Sequence, residues 1–122
     1  MSSDTAYLKF PIIIYPSEDG EGGWFTAHCL STDLLADDDT VEGAVDGLLE
    51  TIEAGLEAAQ KHNANIFREA PQKYWDMLAK ALPLAPELME RIIFNANKRL
   101  AGNKRPLIDI EKTCDLRQLQ PA

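Results

Sequence analysis

Leu8-Lys9-Phe10-Pro11-Ile12-Ile13-Ile14-Tyr15 and Trp24-Phe25-Thr26-Ala27-His28-Cys29-Leu30 are the two stretches on which the fold turns. Both are short, apolar and rich in branched or aromatic side chains, as strands are, and neither approaches the length of a membrane span. Between them lies Ser17-Glu18-Asp19-Gly20-Glu21-Gly22-Gly23, a polar turn rich in glycine. The pair therefore reads as a hairpin with a long loop. A further polar stretch and a short strand follow, and Asp39-Thr40-Val41-Glu42 then opens a helix.

That helix carries the clearest periodicity in the chain. Val41, Ala44, Val45, Leu48, Leu49, Ile52, Leu56 and Ala59 recur at three- and four-residue spacing and form one apolar stripe. Glu42, Asp46, Glu50, Glu53 and Glu57 occupy the other faces. Asp39 is expected to cap the first turn, with Glu42 reaching back in capping-box fashion. Asp37 and Asp38 add negative charge where the helix dipole favours it. A sheet of two or three strands cannot bury its own apolar face, so the stripe is expected to lie on it. Gly43, Gly47 and Gly55 each weaken the helix by about 1 kcal/mol relative to alanine. Their spacing permits close packing, with a second copy of the chain as one candidate.

Beyond Lys61-His62-Asn63-Ala64-Asn65, a polar break, the composition changes. Pro71 fits the first turn of a second helix reaching about Leu82 and carrying Tyr74, Trp75, Met77 and Leu78. Pro86 starts a third, with Leu88, Met89, Ile92, Ile93, Ala96 and Leu100 as its stripe and Gly102 as its stop. Residues 103–122 are polar. Leu107-Ile108-Asp109-Ile110 reads as a short strand or a docking arm, in a tail expected to be partly disordered. The expected division is a β-hairpin and helix core over residues 1–62 and a helical C-terminal extension with tail over residues 63–122. The fold class is α+β, a small antiparallel sheet packed on one long amphipathic helix.

With 122 residues, the chain has the length of one domain. Its net charge of −8 is unevenly spread. Residues 1–60 hold thirteen acidic side chains against Lys9 alone, or −12, whereas residues 61–122 hold seven acidic and eleven basic, or +4. Such an acidic half repels phosphate backbones and attracts basic surfaces. No signal-peptide pattern precedes the Ile run. Two well-separated cysteines, Cys29 and Cys114, suggest reduced thiols and a cytoplasmic protein rather than a disulfide framework.

Catalytic constellations are missing from the sequence. Metal-dependent nuclease chemistry requires converging carboxylates, one on the first strand, and residues 8–15 contain neither Asp nor Glu. Asp37-Asp38-Asp39 lacks the spaced ligands of a calcium loop and suits capping better. His28 and Cys29 are adjacent, so on a strand they point to opposite faces and do not converge on a metal. His62 and Cys114 would join such a site only by coincidence of folding. No nucleophile–base pair, phosphate loop or dinucleotide fingerprint appears. The expectation is a non-enzymatic binding domain with no cofactor and no metal. Lys98, Arg99, Lys104 and Arg105 form one basic cluster, read as a helix C-terminus meeting its dipole or as a contact for nucleic acid or for another subunit's acidic half. Tyr74 and Trp75 read as core or dimer contacts before base-stacking groups.

Residues 7–60 resemble the HicB family of antitoxins. The likeness rests on Phe10-Pro11-Ile12-Ile13-Ile14-Tyr15, on Glu18-Asp19-Gly20 through Gly23, on Trp24-Phe25-Thr26-Ala27-His28-Cys29, and on Asp39-Thr40-Val41-Glu42-Gly43-Ala44. It spans a little under half the chain. Leu30 stands where the family often has proline after the cysteine, and Asp38 where it has glycine. Residues 66–122 match neither of the family's helix-turn-helix and ribbon-helix-helix segments. The resemblance implies a partial RNase H-like fold, self-association as a homodimer or larger oligomer, and a small basic RNase toxin of the HicA kind as partner, its active site blocked. The expected partner-binding residues are Glu18, Asp19, Glu21, Glu50, Glu53 and Glu57. The alternative is a transcriptional regulator binding DNA through Lys98, Arg99, Lys104 and Arg105. No membrane contact is expected.

Overall fold

The computed structural model describes residues 9–17, 23–103 and 109–119. Strand β1, Phe10–Pro16, pairs antiparallel with β2, Phe25–Cys29, and β2 pairs antiparallel with β3, Leu34–Asp38. The meander anticipated from the apolar runs is therefore present, and helix α1, Val41–His62, follows it directly. Beyond α1 come α2 (Gln72–Lys80), β4 (Leu82–Pro83), α3 (Pro86–Asn103), a helical turn at Ile110–Thr113, and β5 (Cys114–Gln118).

The last strand changes the architecture. β5 lies parallel to β1, with Phe10 opposite Cys114 and Ile14 opposite Gln118, and β4 pairs with its far side. Among the described residues the sheet thus has five strands in the order β3-β2-β1-β5-β4 and is mixed, in place of the expected small antiparallel one. Residues 114–118, within the expected polar tail, sit beside its central strand. The boundary at residues 62 and 63 does not mark the limit of the sheet. Ile110 belongs to the helical turn rather than to a strand, while Leu107 and Ile108 lie outside the described residues.

Central placement explains the continuous Ile run of β1. Ile12 and Ile14 join Ala44, Val45, Leu48, Leu49 and Ile52 of α1 and Ile92 and Ala96 of α3 in one core. Ile13 and Tyr15 point the other way and are covered by α2. A strand buried on both faces reads as uninterrupted apolar sequence. Each such Ile contributes about 1.5–3 kcal/mol by leaving water. The core helix stripe is as expected, with Leu56 and Ala59 partly exposed at its C-terminal end.

Capping at the start of α1 differs by one residue from the expectation. Thr40, extended at φ −127°, is the N-cap, and its hydroxyl accepts from the Gly43 N–H at 2.9 Å. Asp38 accepts in turn from the Thr40 N–H at 3.2 Å and from its hydroxyl at 3.1 Å. The backbone bond from Thr40 is the main reason that the Asp38 carboxyl titrates below its ordinary range. Glu42 closes no capping box; it pairs with Arg91 of α3 at 2.7 Å. At the other end Asn63 is left-handed at φ 52° and its N–H donates to Ala59 C=O, which stops the helix.

The glycines of α1 lie along β3, with Ile66 also packed on Gly55. A Cβ on Gly43 would meet Asp38, one on Gly47 would meet Ala36 at 3.4 Å, and one on Gly55 would meet Ile66 at 2.8 Å with Leu34 behind it at 3.8 Å. Residues 43, 47 and 55 thus descend along residues 38, 36 and 34, the alternate positions that β3 turns toward the helix. Glycine lets the helix approach the strand closely.

Candidate interaction surface

Held by this packing, α1 presents its carboxylates on the flank away from β3. Asp46, Glu50, Glu53 and Glu57 are spaced by four, three and four residues, which stacks them along one side of a helix. Glu50 and Glu57 are exposed and Glu53 half-buried. Glu18, Asp19 and Glu21 lie outside the described residues.

Helix α3 runs beside the first part of this stripe. Arg91 neutralises Glu42, and Lys98 lines the same open cleft as Glu42, Gly43, Asp46 and Asn95, a space of about 420 Å3. Lys98, one residue of the basic cluster, therefore comes beside Glu42 and Asp46 at the N-terminal half of α1. Arg99 belongs to α3, and Lys104 and Arg105 lie outside the described residues. Sequence reasoning missed this pairing because it depends on how α3 docks.

A second polar group sits on the α2 side of the sheet. His28, 1% exposed, has Nδ1 3.0 Å from the Tyr15 hydroxyl and Nε2 2.7 Å from Asp33 Oδ1. The carboxylate only accepts, so in the neutral imidazole Nε2 carries the proton and Nδ1 accepts from Tyr15. Asp33 reaches this position from a left-handed turn at φ 57°. Tyr74 of α2 meets His28 edge-on at 4.6 Å and stacks on Tyr15 at 5.8 Å, so Tyr74 is a core contact. Trp75 donates its indole N–H to Ala70 C=O. The order hydroxyl, imidazole, carboxylate resembles a nucleophile–base–orienter chain. Both imidazole nitrogens are engaged and both rings are buried, however, and this arrangement ties α2 to the sheet.

His28 and Cys29 do point to opposite faces, Cys29 into the α1-side core. Among the described residues no group of three His, Cys, Asp or Glu side chains is placed to hold a metal. Burial pushes the Cys114 thiol up to about 12, so it stays protonated and is a poor nucleophile.

Farther along the α2-side face the sheet is less covered. Thr26 donates to Asp37 at 2.5 Å and shares a hydrogen bond with Ser17 at 2.8 Å. Trp24 and Leu35 are 48% and 50% exposed, large values for such side chains on a sheet. Among the described residues no helix is long and apolar enough to cross a membrane. Compared with known proteins, the chain matches no family model, no curated protein and no solved structure.

Proposed function

We propose that the protein is a non-enzymatic, HicB-like antitoxin, or a solitary relative of one, acting in the cytoplasm and self-associated. It binds a small basic RNase of the HicA kind and covers that protein's RNA site. The observation that carries this reading is the carboxylate row Asp46, Glu50, Glu53 and Glu57, displayed on a helix whose opposite side is fixed in the core. Such a row speeds encounter with a basic surface, and apolar contacts then hold the complex. The order of β1, β2, β3 and α1, which the family resemblance implied, supports the same reading. The DNA-binding alternative is weaker. Lys98 shares its cleft with Asp46 and with Glu42, itself paired to Arg91, so the cleft is not the basic surface that a phosphate backbone needs.

Affinity purification of the tagged chain from its native cells, with mass spectrometry of what remains bound, tests the proposal. Stoichiometric recovery of a small basic protein with RNase activity is the expected result. Once that partner is in hand, reversing Glu50 and Glu57 to lysine slows association at low salt. An unchanged on-rate removes the acidic row from the mechanism.

A further inference from the structure

We infer that the outer edge of β3 is the seat of the partner, which adds a basic, extended segment there as a sixth strand. This rests on the antitoxin reading for the partner's identity but not for the edge itself. β3 ends the sheet and, among the described residues, pairs only with β2. Its free groups follow from the register. Ser17 N–H donates to Trp24 C=O and Leu30 N–H to Pro11 C=O, so the even-numbered residues of β2 face β1. Main-chain groups alternate in direction along an antiparallel strand. Phe25, Ala27 and Cys29 therefore face β3 and meet Asp38, Ala36 and Leu34. Leu35 and Asp37 are left with N–H and C=O directed outward, a template for another strand.

The side chains at those two positions specify the occupant. Leu35 is half exposed, and the exposed Asp37 is held by the Thr26 hydroxyl. An incoming strand with a lysine or arginine opposite Asp37 and an apolar residue opposite Leu35 satisfies both. A second copy of this chain does not. In the antiparallel registers that use the outward groups, Asp37 meets the copy's Asp37, its Leu35, or residue 33, which lies beyond β3 in a left-handed turn with its carboxylate on His28. None gives Asp37 a cation, and the two molecules each carry −8. The charge favours a basic partner over self-pairing.

The probe is a synthetic eight-residue peptide, Lys-Thr-Val-Thr-Lys-Thr-Val-Thr, which sets lysine and valine two residues apart on one face, titrated into the full chain and followed by fluorescence anisotropy and amide hydrogen exchange. Saturable binding below about 1 mM is expected, with exchange slowed at Leu35 and Asp37 and unchanged along α1. The same peptide N-methylated at alternate amides should bind about ten-fold more weakly, because the strand bonds supply the affinity. Leu35→Pro removes one outward N–H while leaving the β2-facing residues intact, and Asp37→Lys reverses the charge without touching the backbone. Both should weaken the peptide and the recovered toxin alike, in variants that keep the parent's melting curve. Equal binding of the methylated peptide, or protection confined to α1, overturns the inference. If toxin affinity is unchanged in both variants, the edge is wrong and the antitoxin reading stands. If the peptide binds the edge but no basic protein is recovered from cells, the edge stands and the antitoxin reading falls.

Discussion

Alanine in place of each α1 glycine separates helix propensity from strand packing. In a helix interior the change stabilises by about 1 kcal/mol. For a domain of this size that corresponds to a rise in Tm of about 3–5 °C. Propensity alone predicts a rise at all three positions. The distances predict otherwise. At Gly47 the new Cβ would lie 3.4 Å from Ala36 Cβ, tight but acceptable, so Gly47→Ala should retain most of the gain. At Gly55 it would lie 2.8 Å from Ile66 Cδ1, the free end of a flexible side chain that must move, which leaves Tm near the parent value. At Gly43 it would fall on the Asp38 carboxyl, 2.5 Å from Cγ. The carboxylate must then leave both its bonds to Thr40, and Tm should fall although alanine is the better helix former. Gly47→Val carries the argument further, since branches beyond the Cβ press on Ala36 and overpacking costs about 1–3 kcal/mol. Thermal melts at one pH and ionic strength, with exchange of the Thr40 and Gly43 amides, read all four variants. A uniform rise across the three alanines would refute the close approach of α1 to β3.

Asp33→Ala leaves the buried His28 Nε2–H without its acceptor and should cost about 1–3 kcal/mol. Asp33→Gly loses the same bond but relieves the left-handed backbone at φ 57°, so it should melt above the alanine variant; the reverse order in urea titrations contradicts the assignment. Cys114, with its thiol pushed up to about 12, should resist alkylation in the folded protein at neutral pH, and rapid native-state labelling would argue against its burial. The unfolded thiol ionises near 8.5, so this contribution to stability is complete below about pH 8.5 and is lost as pH rises toward 12. Leu116→Ala should cost about 2–5 kcal/mol, as a fully buried core leucine does, and a chain ending at residue 62 should give no cooperative melt because β1 loses its parallel neighbour. A sharp transition in that fragment would show that β5 is dispensable.

The sequence was legible where one physical requirement dominated. The Ile run of β1 had to be a buried strand, and the three- and four-residue spacing of α1 had to be a helix on a sheet. Helix capping was ambiguous because Asp37, Asp38, Asp39 and Thr40 all suit the role, and strand pairing decided among them: Asp38 is held in β3 opposite Phe25, and Thr40, itself extended, is the residue whose hydroxyl reaches the Gly43 N–H. β5 was illegible for a different reason. Cys-Asp-Leu-Arg-Gln presents only Cys114 and Leu116 to the α1-side core, while Asp115 and Arg117 pair with each other on the other side. Two apolar residues carry too weak an alternation to distinguish a strand from a polar tail. The exposure of Glu50 and Glu57 followed from helix periodicity, whereas the outward direction of Leu35 and Asp37 follows from strand order, which no local pattern contains.

Three glycines in one helix are a standing cost, about 1 kcal/mol each by propensity, and the structure shows what offsets it. They set α1 flush against Leu34, Ala36 and Asp38, so the inward half of β3 is fixed while its outward half meets no other strand among the described residues. An edge held this way loses little freedom when another strand pairs with it, and preorganisation of that kind raises affinity without adding contacts. The same helix leaves Thr51, Ala54 and Ala58 exposed between the β3 flank and the carboxylates of Glu50 and Glu57. All three are small. A partner seated on β3 can therefore cross the back of α1 and reach the acidic row without displacing a large side chain. On this reasoning strand addition and electrostatic attraction would act on one continuous surface, and the glycine row that seats α1 against β3 is what would hold its two parts together.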